Sequence, residues 1–142
     1  DVLPTHVKDT GAGKMLIVPS GKGDKYRETP IDGRLAGQIR TIESMKGSDE
    51  TVVPVESTAA IRKWIKHSRE RLADETENER WNHVSMHDLR RSWATLLESA
   101  GVDSRLVMKW GGWSNIDTYY QHYQGAHSPE AQKRERDKVE WL

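Results

Sequence analysis

Short apolar runs near the start of the chain flank a stretch rich in glycine and charge. The first run is Met15–Val18 and the second spans Tyr26–Ile31, with Gly21–Lys25 between them. Apolar runs on both sides of a turn-rich stretch are typical of two antiparallel strands joined as a hairpin. The pattern therefore predicts a small β-hairpin with a basic tip.

Beyond the hairpin, apolar residues recur every three or four positions, which is the spacing of amphipathic helices. Asp32, Ser57 and Ser85 stand just before such segments, where a side-chain oxygen can cap the first turn of a helix. Gly101 follows the third segment, at a position that glycine commonly occupies after a helix. The apolar positions expected to face the core are Leu35, Ala36, Ile39, Ile42, Ile61, Trp64, Ile65, Leu72, Leu89, Trp93, Leu96, Leu97, Ala100, Leu106, Val107 and Trp110.

Two more helices are expected in the last third of the chain. One starts at Ser114, and Ser128–Pro129 opens a strongly charged helix that ends at Trp141–Leu142. Thr51–Val55 is β-branched but contains a proline, which favours an edge or extended segment over a central strand. Together the elements predict one α+β domain over residues 1–142. It is mostly α-helical, with a small antiparallel sheet near the N-terminus packed on a helical bundle.

Composition narrows the classes of protein to which the chain can belong. Its 142 residues suffice for one domain of ordinary size. The mean hydropathy is −0.85, with no apolar run long enough to span a bilayer and no N-terminal stretch built like a signal peptide. Cysteine is absent, which excludes a disulfide framework, a thiolate zinc site and a cysteine nucleophile.

The charges are balanced in number but not in position. Lysine plus arginine and aspartate plus glutamate both number 22. Residues 1–40 carry seven basic and five acidic side chains, residues 41–79 six and nine, and residues 80–142 nine and eight. A neutral total can hide a basic face, so the net charge does not exclude a nucleic-acid partner.

Two motifs that suggest a bound phosphate or metal fail on their spacing. Gly11–Lys14 lacks the first glycine and the Ser or Thr that a nucleotide-binding phosphate loop requires. His83 and His87 are four residues apart, but Val84 occupies the position of the glutamate that a zincin helix needs. Neither a nucleotide cofactor nor a metal site is expected.

The segment His87–Arg91 has the chemistry to hold a phosphate. His87 and Arg90 are three residues apart at the start of a predicted helix, so both side chains can project from one face. A helix N-terminus favours anions, and a guanidinium there can bind two phosphate oxygens at once. By itself, the same pattern also fits a histidine and an arginine on the surface near a helix cap.

Four motifs follow one another along the chain. Gly21–Lys25, with an arginine and a Pro-Ile pair beyond it, forms a lysine-bearing hairpin, and His87 and Arg90 lead into the apolar segment Ser92–Leu97. Gly111–Asn115 contains two glycines and then Trp113, which lies 23 residues after Arg90, and tyrosines follow on the next predicted helix. In this order the motifs resemble the tyrosine recombinases, also called the phage integrase family, and they cover most of the chain.

The resemblance implies site-specific cleavage and rejoining of DNA through a 3′-phosphotyrosyl intermediate. Tyr123 would be the nucleophile, and Arg90 would clamp the non-bridging phosphate oxygens. His87 would hydrogen-bond the phosphate or shuttle protons, and Trp113 would donate its indole N–H to a phosphate oxygen. Lys22 would protonate the leaving 5′-oxygen. No metal, nucleotide or other cofactor is implied.

Two of these assignments have a competing residue. The family's commonest spacing puts the nucleophile one residue earlier, at the position of His122, whereas Tyr123 lies ten residues after Trp113. Tyr120 is therefore the alternative nucleophile, and as a bare pattern the tyrosines also fit a core-facing stripe. Lys25 is the alternative general acid on the hairpin.

The resemblance also implies partners and a location. The expected partner is double-stranded DNA, bound by a tetramer in the cytoplasm at the nucleoid, with no membrane and no small-molecule substrate. The family has a further catalytic arginine upstream of the hairpin and an amino-terminal DNA-clamping domain, and counting back places both before Asp1. We therefore expect an N-terminally incomplete catalytic domain that is inactive, or nearly so, when alone.

Other readings of the same residues lead to different functions. Ser128–Gln132 adds a similarity to integrases of archaeal type, whereas a type IB topoisomerase would use similar residues to relax DNA. A non-catalytic DNA-binding module could keep the fold, and a helical protein-interaction domain would make the motifs a coincidence. The tail from Ala126 to Leu142 would pack either on a neighbouring protomer or within its own chain.

Overall fold

The structure is a computed structural model that describes residues 2–21, 25–54, 57–122 and 129–141. These residues form an α+β, mostly helical fold, as predicted. The strands are β1 (Val7–Thr10), β2 (Gly13–Val18) and β3 (Arg27–Pro30), and the α-helices are α1 (Gly33–Lys46), α2 (Thr58–Thr76), α3 (Met86–Ser99), α4 (Ser104–Gly111), α5 (Ile116–His122) and α6 (Pro129–Arg136). Two short 3₁₀-helices span Pro4–His6 and Glu79–His83. Among the described helices, none combines the length and the hydrophobicity of a membrane span.

The predicted hairpin is present as β2 and β3 of a three-stranded antiparallel sheet with the order β1-β2-β3. Met15 pairs with Pro30 at one end of the two strands, and Val18 pairs with Arg27 at the other. The tip of the hairpin, residues 22–24, lies outside the described residues. The pairing confirms that the two apolar runs of the sequence are neighbouring strands.

The hydrophobic pattern does not reveal β1. Three of its four residues, Lys8, Asp9 and Thr10, are exposed and polar, because a strand at the edge of a sheet has only one strand neighbour. Gly11–Ala12 turns the chain from β1 into β2, and Thr10 pairs with Gly13 across that turn. The glycine-rich stretch that resembles part of a phosphate loop is therefore a hairpin turn.

The chain divides into two compact units. The first unit consists of Asp1–Pro54 and Met108–Ser114, and the second consists of Val55–Val107 and Asn115–Leu142. The sheet and α1 belong to the first unit, whereas α2, α3, α5 and α6 belong to the second. Helix α4 contributes residues to both units. Of the predicted site residues, Lys22 and Trp113 belong to the first unit, and His87, Arg90 and Tyr123 belong to the second.

The first unit has a small core. Its buried apolar side chains, among those described, include Met15 of β2 and Ala36 and Ile39 of α1. Asp32 caps α1 as predicted, because its carboxylate accepts a hydrogen bond from the Leu35 backbone N–H at 2.6 Å. This cap starts the helix directly after the sheet and fixes the core face of α1 at the beginning of the chain.

The segment Thr51–Val55 forms no strand over its described residues 51–54. Its backbone is tied to the start of the chain instead, because the Val52 N–H donates to the Val2 carbonyl oxygen at 2.8 Å. The described residues form a bend at Val52–Val53, so the edge strand, one of the two forms expected here, is not present in them.

The second unit buries a different face of α3 from the predicted one. Leu89 and Leu96 were expected in the core but are 47% and 69% exposed, and Trp64 of α2 is 50% exposed. The buried residues of α3 are Ala94 and Glu98, which lie four apart on one face. Ala94 is small enough for neighbouring elements to approach closely, and Glu98 has hydrogen-bond partners, so this face packs in place of the leucine stripe.

Both ends of α3 form as the sequence predicts. At the start, Ser85 Oγ accepts from the Asp88 N–H at 3.4 Å, and the Asp88 carboxylate accepts from the Ser85 N–H at 2.8 Å. This reciprocal pair is a capping box. At the end, Gly101 has a φ of +90° and donates its N–H to the Glu98 carbonyl oxygen at 2.8 Å. These local signals place the start and the end of α3 within the sequence.

Two other helix starts differ from the predictions. Ser57 precedes α2 but its side chain makes no capping hydrogen bond. Helix α5 begins at Ile116, and Asn115 caps it in place of Ser114, because the Asn115 side chain accepts from the Thr118 N–H at 2.9 Å.

Replacing Ser85 by alanine should destabilise the chain by about 1 kcal/mol, because the first turn of α3 loses a side-chain acceptor. Urea unfolding followed by circular dichroism measures the change. Ser92 is an exposed serine in the middle of α3, and its replacement by alanine should be neutral or slightly stabilising, since alanine favours a helix interior. Equal effects of the two substitutions would contradict the capping role of Ser85.

Candidate active site

The predicted phosphate-binding residues lie in the first turns of α3. His87 is the second residue of the helix and is exposed, and Arg90, three residues further on, is half-buried. Residues three apart are neighbours on a helix surface. The structure therefore brings both side chains to the N-terminal end of α3, where free backbone N–H groups and the helix dipole favour an anion.

Asp88 lies between these two residues in the sequence and takes part in capping α3. Its carboxylate accepts hydrogen bonds from the Ser85 hydroxyl at 2.6 Å and from the Ser85 backbone N–H at 2.8 Å. These bonds hold the pKa of Asp88 below its ordinary value, and the positive charge of Arg91 lowers that pKa further. Asp88 is thus a charged part of the capping box, and His87 and Arg90 are the groups that can face a ligand.

The predicted tryptophan follows a turn that requires glycine. Gly112 has a φ of +75°, which residues other than glycine rarely adopt. A Cβ atom at Gly111 would lie 1.9 Å from Cζ3 of Trp113, so the half-buried indole packs directly on the Gly111 backbone. The Trp113 N–H also donates to the Met108 carbonyl oxygen at 2.9 Å. The two glycines therefore fix the indole against the end of α4.

The connection between β2 and β3 is closed at its base. Gly21 donates its backbone N–H to the Lys25 carbonyl oxygen at 2.9 Å. Lys22, the predicted general acid, lies between these two residues and outside the described residues, whereas the competing Lys25 is exposed. The Arg27 guanidinium lies beside Gly21, since a Cβ atom there would come within 3.4 Å of Nη1. The Gly21–Lys25 hydrogen bond therefore closes the base of the connection, and the Arg27 side chain packs beside that base.

The tyrosines of the last motif differ in their surroundings. Tyr119 is fully buried, and its hydroxyl donates to Glu98 Oε1 at 2.8 Å. Burial first, and this hydrogen bond second, raise the pKa of Tyr119 far above its ordinary value. Tyr120 is 42% exposed, and its ring meets that of Tyr119 edge to face at 5.6 Å. Tyr123, the predicted nucleophile, directly follows the last residue of α5 and lies outside the described residues.

Glu98 links three helices of the second unit. Its buried carboxylate accepts hydrogen bonds from Ser104 Oγ at 2.6 Å and from the Tyr119 hydroxyl at 2.8 Å. Two hydroxyl donors offset part of the cost of burying a carboxylate. Because these residues lie on α3, α4 and α5, the network holds the tyrosine-bearing helix against the helix that carries His87 and Arg90.

Sequence reasoning missed this role of Glu98. The hydrophobic pattern gives no signal for it, because Glu98 lies four residues after Ala94 and eight after Arg90, on a largely polar face of α3 away from the leucine stripe. The donors themselves lie on other helices, so the sequence pattern alone does not identify them.

Helix α6 docks on the end of α3 within the same chain. Ala131 is 4% exposed, and Arg134 Nη1 donates to the Ser99 carbonyl oxygen at 2.7 Å. Gly101 leaves room for that guanidinium, since a Cβ atom there would lie 3.4 Å from Nη2. The helix ends before the predicted C-terminal boundary, and Trp141 beyond it is 83% exposed. Of the two arrangements expected for the tail, α6 has the intramolecular one.

The described residues contain no group of three or more His, Cys, Asp or Glu side chains that could hold a metal ion. His83 ends a 3₁₀-helix, whereas His87 lies in α3, on the other side of the Ser85 cap. The two histidines therefore lie on different helices.

Comparison with known proteins gives consistent matches. The family model described as "Phage integrase family" matches residues 6–129. The tyrosine recombinase XerA of Thermococcus kodakarensis is 30% identical over 113 residues, or 73% of this chain. The tyrosine recombinases XerC of Pelobacter propionicus and of Vibrio campbellii are 28% and 29% identical, over 75% and 97% of this chain.

The chain spans less than half the length of these curated relatives, at 37%, 36% and 49% in the same order. No solved structure matches the chain. The matched residues 6–129 nevertheless include the hairpin, the start of α3, the Gly111–Trp113 turn and α5.

Proposed function

The chain belongs to the phage integrase family of tyrosine recombinases, and we propose that it breaks and rejoins double-stranded DNA at specific sites. The proposal assigns the nucleophile to Tyr123 and the surrounding chemistry to Lys22, His87, Arg90 and Trp113. Under this proposal the 142 residues belong to the catalytic domain of such an enzyme.

The proposed cleavage is a transfer of the phosphodiester from DNA to the protein. The Tyr123 oxygen attacks the scissile phosphorus, the bond from phosphorus to the 5′-oxygen breaks, and a 3′-phosphotyrosyl link forms. A phenol has a pKa of about 10, so it must lose its proton as it attacks, and His87 accepts that proton. Lys22 gives a proton to the leaving 5′-oxygen, which departs as a hydroxyl.

Rejoining reverses these steps with a 5′-hydroxyl of the same or another strand. Because the covalent link has replaced one phosphate ester bond by another, neither a nucleotide nor a metal is needed to reseal the strand. During both steps Arg90 binds two non-bridging oxygens of the pentavalent phosphorane, and the Trp113 indole N–H donates to one of them.

The start of α3 is the observation that carries the proposal. A capping box fixes the first turn of this helix, and His87 and Arg90 lie in its first two turns. This is a place where the backbone and both side chains favour a phosphate. The Glu98 network supports the proposal further, because it holds α5, which leads directly to Tyr123, against the same helix.

We also propose that the protein acts as a tetramer on DNA, in the cytoplasm at the nucleoid, without a membrane or a small-molecule substrate. The exposed Trp141 beyond α6 supports contact between protomers, since a large exposed aromatic side chain favours an interface. Light scattering of the complete protein on its DNA site measures the assembly.

The proposed reaction can be tested without knowing the target sequence. The complete protein is mixed with nicked duplexes whose core is randomised, so that the short cleaved strand leaves and the covalent adduct accumulates. We expect an adduct that survives denaturing electrophoresis, with one enriched DNA sequence and a nucleotide remnant on the peptide containing Tyr123. No adduct from the whole pool, or a remnant on another residue, contradicts the proposal.

The 142-residue chain alone provides a second arm of this experiment. The chain spans less than half the length of the curated relatives that it matches, so we expect the 142 residues alone to bind the enriched duplex weakly and to form little adduct. Adduct formation at the rate of the complete protein would show that these 142 residues suffice for cleavage.

A further inference from the structure

The guanidinium of Arg27 lies between two glycines that are far apart in the sequence and belong to the same unit. A Cβ atom at Gly21 would come within 3.4 Å of Nη1 and 3.9 Å of Cζ. A Cβ atom at Gly112 would come within 2.8 Å of Nη1 and 3.2 Å of Cδ. The arginine side chain thus occupies the space that a side chain at Gly112 would fill, and it lies in van der Waals contact with the side-chain position of Gly21, where the Lys25 carbonyl oxygen is nearer at 3.0 Å.

Each glycine belongs to a segment that carries a proposed catalytic residue. Gly21 begins the loop that contains Lys22, and its N–H closes that loop on the Lys25 carbonyl oxygen. Gly112 directly precedes Trp113 and has a φ of +75°. Arg27 therefore contacts the base of the lysine loop and the turn that orients the indole.

Ion pairs among the described residues do not account for this position of Arg27. Within the described part of the chain, no carboxylate lies within salt-bridge distance of its guanidinium. The neighbouring carboxylate of Glu28 accepts a hydrogen bond from the Tyr26 hydroxyl instead. The guanidinium lies instead beside two glycines, where a flat and rigid group packs in a way that the compact ammonium of lysine does not.

We propose that Arg27 is a positioning residue for the reaction described above. Its guanidinium holds Gly21, at the base of the β2–β3 connection, beside the Gly112–Trp113 turn. Through these two glycines it supports the joint action of the proposed Lys22 and Trp113 on one phosphate. This inference rests on the proposed function, and Arg27 itself does not exchange a proton with the DNA.

The proposal predicts a defect in leaving-group protonation when Arg27 is replaced by alanine. Single-turnover cleavage of the enriched duplex by the complete protein should slow by about a hundredfold, since a small misplacement of a catalytic group has effects of this size. The rate should be restored when the leaving 5′-oxygen is replaced by sulfur, because a thiolate departs without receiving a proton. Affinity for the duplex should be unchanged.

Two further variants separate positioning from charge and from folding. Arg27→Lys keeps the charge but lacks the planar group, so it should remain slow on ordinary DNA and be restored by sulfur. Arg27→Met keeps the aliphatic stem that lies over Gly112 and should show the same pattern, with a melting temperature close to wild type. Arg34→Ala removes an exposed arginine of α1 in the same unit and should leave all rates unchanged.

Several results would overturn the proposal. An Arg27→Ala defect that follows lost DNA affinity, or that Arg27→Lys repairs, makes Arg27 a phosphate contact. A folded Arg27→Met protein with the wild-type rate makes it dispensable. If sulfur restores Lys22→Ala but not the Arg27 variants, the positioning role fails while the proposed function stands. If sulfur does not restore Lys22→Ala, the proposed general acid itself is wrong.

Discussion

Replacing Tyr123 by phenylalanine is expected to abolish covalent adduct formation while leaving DNA binding intact. Phenylalanine keeps the ring but removes the oxygen that attacks phosphorus, and loss of a nucleophile lowers the rate by about a thousandfold or more. The complete protein is incubated with the enriched nicked duplex, and the adduct is quantified by denaturing electrophoresis. Binding is measured on the same duplex by fluorescence anisotropy.

Tyr120→Phe is the matched control, since Tyr120 is the competing nucleophile and is 42% exposed on α5. We expect this variant to form adduct at close to the wild-type rate. If adduct is lost in Tyr120→Phe and kept in Tyr123→Phe, the nucleophile is Tyr120. If both variants keep full activity, the assignment to this segment is wrong. A complete protein that binds DNA but never forms adduct is a DNA-binding module.

Replacing Lys22 by alanine is expected to slow cleavage of ordinary DNA by about a hundredfold to ten-thousandfold, which is the usual contribution of a general acid. The reason is that the 5′-oxygen would leave as an unprotonated alkoxide. A sulfur atom in its place leaves readily as a thiolate, so the Lys22→Ala protein should cleave the sulfur-containing duplex at nearly the wild-type rate. Rapid-quench measurement of both substrates gives the two rates.

Lys25→Ala is the comparison for this experiment, because Lys25 is the other lysine of the segment Gly21–Lys25 and its side chain is exposed. Its contact with Gly21 uses the backbone carbonyl oxygen, which alanine retains. We expect unchanged cleavage of both substrates. A defect of Lys25→Ala that sulfur repairs, together with a normal Lys22→Ala protein, would transfer the general-acid role to Lys25.

The elements that the sequence predicted well are those defined by neighbouring residues. The Asp32 cap of α1 and both ends of α3 depend on hydrogen bonds over a few positions, and the β2–β3 hairpin pairs two strands that follow each other along the chain. Strand β1 was not predicted, because its residues are mostly exposed and polar, as is typical of loops. The start of α5 was misplaced by two residues because Ser114 and Asn115 are both good caps and only one engages the helix.

The candidate site was predictable to the extent that its motifs are short stretches of sequence. His87 and Arg90 form such a stretch, and their place in the first turns of α3 follows from the capping box. The contact of Arg27 with Gly112 and the hydrogen bond from Tyr119 to Glu98 join residues far apart in the chain. No periodicity or local spacing encodes such contacts.

The fold class, the hairpin, most helix positions and the family follow from the amino-acid sequence, because they depend on local hydrogen bonding and on the order of short motifs. Which face of α3 is buried depends instead on contacts between helices. Leu89 and Leu96 have the stronger hydrophobic signal, yet Ala94 and Glu98 form the packed face. The physical reason is that burial depends on the partners available: a small residue permits close approach, and a carboxylate with two hydroxyl donors tolerates a buried position.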